Sequence, residues 1–133
     1  MRPIFVDTSF FVAILNEKDK YHDLAGEMMG TLPHPMLTTQ WVLAELGNWL
    51  SYKATRDQLP FLIAEMENDS DFEILPADDA SFRAGLKLYA GRPDKDWSFI
   101  DCISMSVMQS LSLTDVLTAD RHFQQAGFKA LLL

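Results

Sequence analysis

The sequence is poor in cysteine, in positive charge and in long apolar runs. Cys102 is the single cysteine among 133 residues, so an internal disulfide is excluded, and such a chain is typical of a reducing cytoplasm. No apolar run approaches the roughly 20 residues that span a bilayer, and Asp7 interrupts the apolar stretch near the start, unlike in a secretory signal. We therefore expect a cytoplasmic protein with no membrane association.

Positive charge is scarce: 11 lysines and arginines stand against 19 acidic residues, which gives a formal net charge of −8. Proteins that bind nucleic acids through phosphates are usually basic, so this balance taken alone argues against such a function. The same balance fits a chain whose acids are concentrated in a metal site, or one that binds a basic partner. Two bound divalent cations would bring the net charge from −8 to about −4.

The chain shows no repeat, low-complexity segment or flexible linker, and we predict a single domain over residues 1–133. Strands are predicted at residues 4–6, 36–38, 72–75, 116–117 and 129–133. Helices are predicted from about residue 9 to 15, at 21–31 with an end before Pro33, from a cap at Thr38 or Thr39 to residue 50, and at 56–67, 78–90 and 98–111. This alternation predicts an α/β fold with a mainly parallel sheet of about five strands and helices on both faces.

Four acidic residues stand where this fold would bring them to one edge of the sheet. Asp7 directly follows the first predicted strand, and Asp120 follows the fourth. Because ligands of open parallel sheets bind beyond the carboxyl ends of the strands, we expect these two side chains to lie close together. Glu45 interrupts an apolar helical stretch, and Asp101 lies in the first turn of another apolar helix. Both are expected to join the same edge.

Each acid alone also has a purely structural explanation. Asp7 can cap the helix that follows it, and Asp101 can stabilise a helix N-terminus in a capping box with Ser98. Asp120 can occupy a turn, and Glu45 can face solvent. As a cluster, however, carboxylates repel one another unless a cation is present. An all-oxygen set selects Mg²⁺ or Mn²⁺, and the chain has no His/Cys spacing typical of zinc.

Four segments of the sequence resemble the motifs of the PIN-domain family. They are residues 5–9 (FVDTS), 44–48 (AELGN), 97–101 (WSFID) and 118–123 (TADRHF). Their order and spacing are similar to those of the family, and the resemblance extends over nearly the whole chain. It is strongest for the small single-domain branch that includes the VapC-type toxins of toxin–antitoxin pairs.

The resemblance implies a three-layer α/β/α sandwich that acts as a Mg²⁺- or Mn²⁺-dependent endoribonuclease on RNA phosphodiester bonds. It further implies a toxin of a type II toxin–antitoxin pair, with a basic antitoxin segment across the site. By position, the family's acidic quartet corresponds to Asp7, Glu45, Asp101 and Asp120, and its small polar positions correspond to Ser9 and Ser98. We expect Asp7 and Asp101 to be the main metal ligands, with the other two acids acting through water or orienting the nucleophile.

Other residues have weaker assignments. Asn48 and Trp49 share a broad helix face with Glu45, and Asn48 can either hold that carboxylate or be a surface amide. His122 can contact phosphate or act as an acid, but a structural turn residue is the favoured interpretation, and Asp96 is expected to be a solvated loop charge. The expected phosphate contacts are basic residues in predicted loops: Arg92, Lys95 and Arg121, with Lys18 and Lys20 as further candidates.

The remaining expectations concern surfaces and competing functions. Cys102 is expected to be a buried apolar residue, and an apolar surface around Met28 and Met29 to serve a homodimer or another partner. An aspartyl-phosphate phosphatase normally needs a second Asp two residues after the first, where this chain has Ser9. A non-catalytic PIN-like binding or regulatory module would share the fold, although the complete acidic set argues against it.

Overall fold

The computed structural model describes residues 2–32 and 34–133, and the helix predicted to stop before Pro33 ends at Thr31. In chain order the elements are β1 (Ile4–Val6), α1 (Thr8–Leu15), α2 (His22–Thr31), β2 (Met36–Thr39), α3 (Gln40–Trp49), α4 (Gln58–Glu67), β3 (Phe72–Leu75), α5 (Asp79–Gly91), α6 (Phe99–Ser110), β4 (Asp115–Leu117), α7 (Arg121–Gln125) and β5 (Lys129–Ala130). This five-stranded α/β fold confirms the predicted class.

The strands form one parallel sheet in the order β3-β2-β1-β4-β5, flanked by helices. The chain builds outward from β1 to β2 and β3, and then returns to place β4 on the other side of β1. The strand order therefore reverses between β1 and β4, and such a reversal opens a crevice beyond the carboxyl ends of the two strands. Asp7 follows β1 and Asp120 follows β4, so the topology delivers both to this crevice.

The core is built around these central strands. Every residue of β1 and the last two residues of β4 are buried, as expected for strands of a parallel sheet that is covered on both faces. Outside the sheet, α5 and α6 pack against each other with Gly85 at their contact. A Cβ atom at Gly85 would lie 2.9 Å from the Cα atom of Ile103, so a larger residue would force the helices apart.

Several predicted boundaries differ from the structure by one residue or more. The first helix begins at Thr8 rather than near Ser9. The helix predicted from residue 56 begins at Gln58, because residues 53–57 form turns. β5 stops at Ala130 and does not continue to residue 133, because it is an edge strand that pairs only with the three-residue β4. Among the described residues, no helix combines the length and apolar character needed to cross a membrane.

Candidate functional site

An open cleft of about 610 Å³ lies at the crevice between the ends of β1 and β4. Its lining includes all four predicted acids: Asp7, Glu45, Asp101 and Asp120. They come from the N-terminal ends of α1, α6 and α7 and from the middle of α3. The fold thus brings together the complete acidic set that the sequence predicts.

The Asp7 carboxylate is held by hydroxyl groups. Thr118 donates its hydroxyl proton to Asp7 Oδ2 at 2.8 Å, and Ser9 Oγ lies 2.9 Å from Thr118 Oγ1. The backbone N–H groups of Ala119 and Asp120 donate to these two hydroxyl oxygens at 3.0 and 3.1 Å. Asp7 occupies the N-cap position of α1 but makes no capping hydrogen bond, so the structural explanation for this residue fails.

The other carboxylate oxygen of Asp7 has no hydrogen-bond partner among the described residues, although it is buried. Burial of this side chain, which is 3% exposed, together with repulsion from Asp101 and Glu45, raises the pKa of Asp7 from 3.8 to about 7, against the opposing hydrogen bond from Thr118. An ionised oxygen without a partner is costly in such a place unless a cation neutralises it. The unpartnered Oδ1 therefore marks a position that a metal ion fits.

Asp101 is fixed by a capping box at the start of α6. Its backbone N–H donates to Ser98 Oγ at 3.0 Å, and its Oδ2 accepts from the Ser98 backbone N–H at 3.1 Å. Burial, and then the nearby Asp120 carboxylate, raise the pKa of Asp101. The predicted capping role is confirmed, and the same side chain also lines the cleft, so the two explanations of Asp101 do not compete.

His122 takes a larger part in the site than the sequence indicates. Its backbone N–H donates to Asp120 Oδ1 in the turn that starts α7, as a turn residue would. Its ring, however, places Nδ1 3.4 Å from both Asp101 Oδ2 and Asp120 Oδ1. One ligand atom from each of these three residues lies within 4.8 Å of the others. This compact group omits Asp7 and Glu45, which line the same cleft.

Thr118 and two residues that line the cleft were not assigned to the site from the sequence. Thr118 lies within a recognised motif, but its hydroxyl contact with Asp7 could not be read from it. Tyr21 and Trp49 line the cleft, and Trp49 lies one helical turn after Glu45. Lys20, one of the predicted phosphate contacts, also lines the cleft. Among the described residues it is the one lysine or arginine in the lining.

The other predicted residues differ in whether they line the cleft. Ser9, Ser98 and Asp96 line the cleft. Arg92 and Lys95 line an adjoining cavity of about 660 Å³, and Arg121 borders a separate depression beside Asp120. Lys18 and Asn48 are exposed and stand outside the lining of the cleft. Cys102 is 1% exposed, and burial raises the pKa of its thiol, as expected for an apolar role.

Comparison with known proteins gives consistent relationships. The sequence model of the PIN domain matches residues 4–129. The chain is 26% identical to the 23S rRNA-specific endonuclease VapC20 of Mycobacterium tuberculosis, over 94% of this chain and 95% of that protein. The crystal structure of VapC20, a sarcin-ricin loop cleaving toxin, covers 94% of this chain and 95% of its own, with a TM-score of 0.83 and 24% identity.

Two further crystal structures share the fold at lower identity. FitAcB from Neisseria gonorrhoeae has a TM-score of 0.67 and 19% identity and covers 96% of this chain and 95% of its own. VapBC2 from Rickettsia felis, bound to a DNA fragment from their promoter, has a TM-score of 0.67 and 15% identity, with coverages of 97% and 96%. Because the family match spans nearly the whole chain and includes every acid of the cleft, this chain belongs to the PIN-domain family.

Proposed function

We propose that this chain is a Mg²⁺- or Mn²⁺-dependent endoribonuclease that hydrolyses RNA phosphodiester bonds, and that it is the toxin of a type II toxin–antitoxin pair. The observation that carries the proposal is the convergence of four carboxylates in one open cleft beside the unpartnered Oδ1 of Asp7. Membership of the PIN-domain family supports nuclease chemistry. Similarity to an rRNA endonuclease supports RNA as the substrate.

In this proposal Asp7 and Asp101 are the direct ligands of a divalent cation. Glu45 and Asp120 act through water or orient the nucleophile. When bound, the cation supplies an activated water molecule and neutralises charge that develops on the phosphate. The donor atoms are all carboxylate oxygens, which is the chemistry that Mg²⁺ and Mn²⁺ prefer.

The surrounding residues hold these acids in place. Thr118 engages Oδ2 of Asp7, which leaves Oδ1 as the free ligand atom. The Ser98 capping box fixes the Asp101 carboxylate to the start of α6. Supporting hydrogen bonds of this kind orient metal ligands and strengthen metal binding. Lys20, on the wall of the cleft, is placed to contact a phosphate of the substrate.

We propose a basic antitoxin segment and a second copy of the chain as protein partners, in the cytoplasm. The net charge of −8 and the acidic cleft favour a basic segment across the site. Met29 and Phe61 expose 46% and 69% of their surface, and they offer apolar area for a partner outside the cleft.

Incubation with total RNA tests the proposed activity. We expect cleavage in the presence of Mg²⁺ or Mn²⁺ and intact RNA when EDTA is added. RNA that remains intact with either metal at high protein concentration would contradict the proposal, and so would cleavage that EDTA leaves unchanged.

A Mn²⁺ titration distinguishes the enzyme from a non-catalytic module with the same fold. We expect wild-type protein to bind Mn²⁺ saturably in a calorimeter and the folded Asp7→Ala variant to lose most of this affinity. Equal affinity of the two proteins would favour the module.

A further inference from the structure

The cavity beside the acidic cleft combines positive charge with an exposed aromatic ring. It shares Asp96 and Ser98 with the cleft, so the two spaces adjoin each other. Its wall carries Arg92 and Lys95, and Tyr89 exposes 51% of its surface there. A polyanion that crosses an acidic cleft needs cations beside it, because phosphate contacts provide most of the affinity for nucleic acids. This cavity supplies them next to the acids.

The Arg92 guanidinium group is held in a defined orientation. Its central carbon lies 5.0 Å from the centroid of the Trp97 ring, and its Nε and Nη2 atoms donate to the two carboxylate oxygens of Asp94 at 3.0 and 3.1 Å. Trp97 is 4% exposed, and its indole N–H donates to Gln125 at 3.0 Å. Because Gln125 belongs to α7, which starts directly after Asp120, the guanidinium group is positioned relative to the acidic cleft.

Asp94 contacts both basic side chains of this cavity. Its two-point contact with Arg92 has the geometry with which a guanidinium group binds phosphate. Lys95 Nζ lies 3.9 Å from Asp94 Oδ2, so one carboxylate serves both cations. The side chains of Arg92 and Asp94 are 42% and 58% exposed. An ion pair this exposed contributes little stability, so an incoming phosphate can displace the carboxylate.

We propose that residues 92–97 form a phosphate subsite for the RNA strand that flanks the cleft, and that Asp94 is an internal competitor for it. A phosphate of the bound strand replaces Asp94 on Arg92 and Lys95, and Tyr89 offers its ring to a neighbouring base. This inference rests on the proposed function, because it takes RNA as the substrate. The subsite adds affinity and positions the strand, and it lies apart from the reacting bond.

Binding of a fluorescently labelled oligouridine tests the subsite without cleavage. The dissociation constant is measured in EDTA over a series of salt concentrations, so that the RNA stays intact. Arg92→Ala is expected to weaken binding about 10-fold. It should also reduce the slope of log Kd against log salt concentration by about 0.7, which is the contribution of one phosphate contact in a single strand. Asp94→Asn is expected to have the opposite effect and to tighten binding severalfold.

The chain offers a matched control in a second exposed ion pair. Arg83 and Asp79 on α5 lie 3.4 Å apart, with side chains 68% and 81% exposed, and neither lines the cleft or the adjoining cavity. Asp79→Asn and Arg83→Ala therefore change the net charge equally without touching the subsite. We expect these controls to alter the affinity less than about twofold at moderate salt, where distant charges are screened. In the Arg92→Ala background, the gain from Asp94→Asn should fall towards that of Asp79→Asn.

Each outcome separates the subsite from the proposed function. The subsite would be overturned if the substitutions at Arg92 and Asp94 changed the affinity for oligouridine no more than those at Arg83 and Asp79. This result is also expected if the loop binds an acidic peptide and not RNA. If the wild-type protein still cleaved RNA with Mn²⁺, that result would contradict only the subsite and not the proposed function. No binding of oligouridine by the wild type at low salt would also overturn the subsite, and the absence of cleavage with Mn²⁺ would overturn the proposed function as well.

Discussion

Replacement of Asp7 by asparagine is expected to change how the stability of the metal-free protein depends on pH. Burial raises the pKa of Asp7 from 3.8 to about 7 in the folded protein, whereas the carboxyl group ionises near its ordinary value in the unfolded chain. Between these two pH values the folded protein holds a proton that the unfolded chain has lost. The free energy of unfolding therefore falls as the pH rises through this window, and the loss is complete above about pH 7.

The size of the effect follows from the difference between the two pKa values. One pKa unit corresponds to about 1.4 kcal/mol, so a carboxyl group whose pKa rises from 3.8 to about 7 costs the folded state about 4 kcal/mol at alkaline pH. Solvent screening does not reduce this cost, because Asp7 is only 3% exposed. Asparagine has nearly the same shape as aspartate and no charge. The free energy of unfolding of the Asp7→Asn variant is therefore not expected to show this fall as the pH rises.

The assay is urea unfolding in EDTA at several values between about pH 4 and about pH 8. The quantity of interest is the difference between the wild-type and Asp7→Asn curves, because contributions from other acids, such as Asp101, largely cancel in it. Asp71→Asn is the matched control, since Asp71 is exposed and distant in sequence from the cleft acids. Wild-type and Asp7→Asn curves that run parallel over the whole range would refute the reasoning.

Three further predictions concern packing and the support of the acids. Gly85→Ala is expected to destabilise the fold by about 1–3 kcal/mol, because the added Cβ would meet the backbone of Ile103, whereas Gly26→Ala has open space and should be neutral or slightly stabilising in the same unfolding assay. Ser98→Ala should cost about 1 kcal/mol through the lost cap and should also weaken Mn²⁺ binding, and Ser98→Thr should restore both. Thr118→Val should lower Mn²⁺ affinity about 10-fold or more with the fold retained, and a calorimetric titration in which Thr118→Ser behaved no better than Thr118→Val would contradict this role of the hydroxyl.

The positions of the acids could be predicted because they follow from local patterns. An apolar run ends at Asp7, another ends three residues before Asp120, and the carboxyl ends of parallel strands share one edge of the sheet. The capping box placed Asp101 at the start of a helix without any knowledge of tertiary structure. Local sequence patterns therefore predict most of the fold and identify the four acids of the cleft.

The contacts that support the acids could not be predicted, because they join residues distant in sequence. Thr118 reaches Asp7 across 111 positions, and the ring of His122 reaches Asp101 across 21. A hydropathy pattern indicates which face of an element is buried, but it does not indicate which hydroxyl group or ring meets which carboxylate. Arg92 and Trp97 are near in sequence, but the Trp97 ring beneath the guanidinium group is itself held by a hydrogen bond to Gln125, 28 positions away.

Helix α3 shows that residues on one predicted helix face can have different environments. The helical period predicts one broad face for Trp41, Glu45, Asn48 and Trp49. Trp49 is about 40° from Glu45 around the helix axis and lines the cleft, whereas Asn48 is about 60° away in the other direction and stands outside its lining. A rotation of this size decides whether a side chain enters the cleft, and only the packing of α3 fixes it.

RNA cleavage by wild-type and Asp101→Asn proteins in Mn²⁺ tests the central claim most directly, because the variant changes one carboxylate oxygen and retains the helix start. Circular dichroism and thermal unfolding verify first that both proteins are folded. If the four carboxylates hold the metal that cleaves RNA, wild-type protein cleaves and the folded Asp101→Asn variant loses essentially all metal-dependent activity. Full activity in the folded variant would contradict the account.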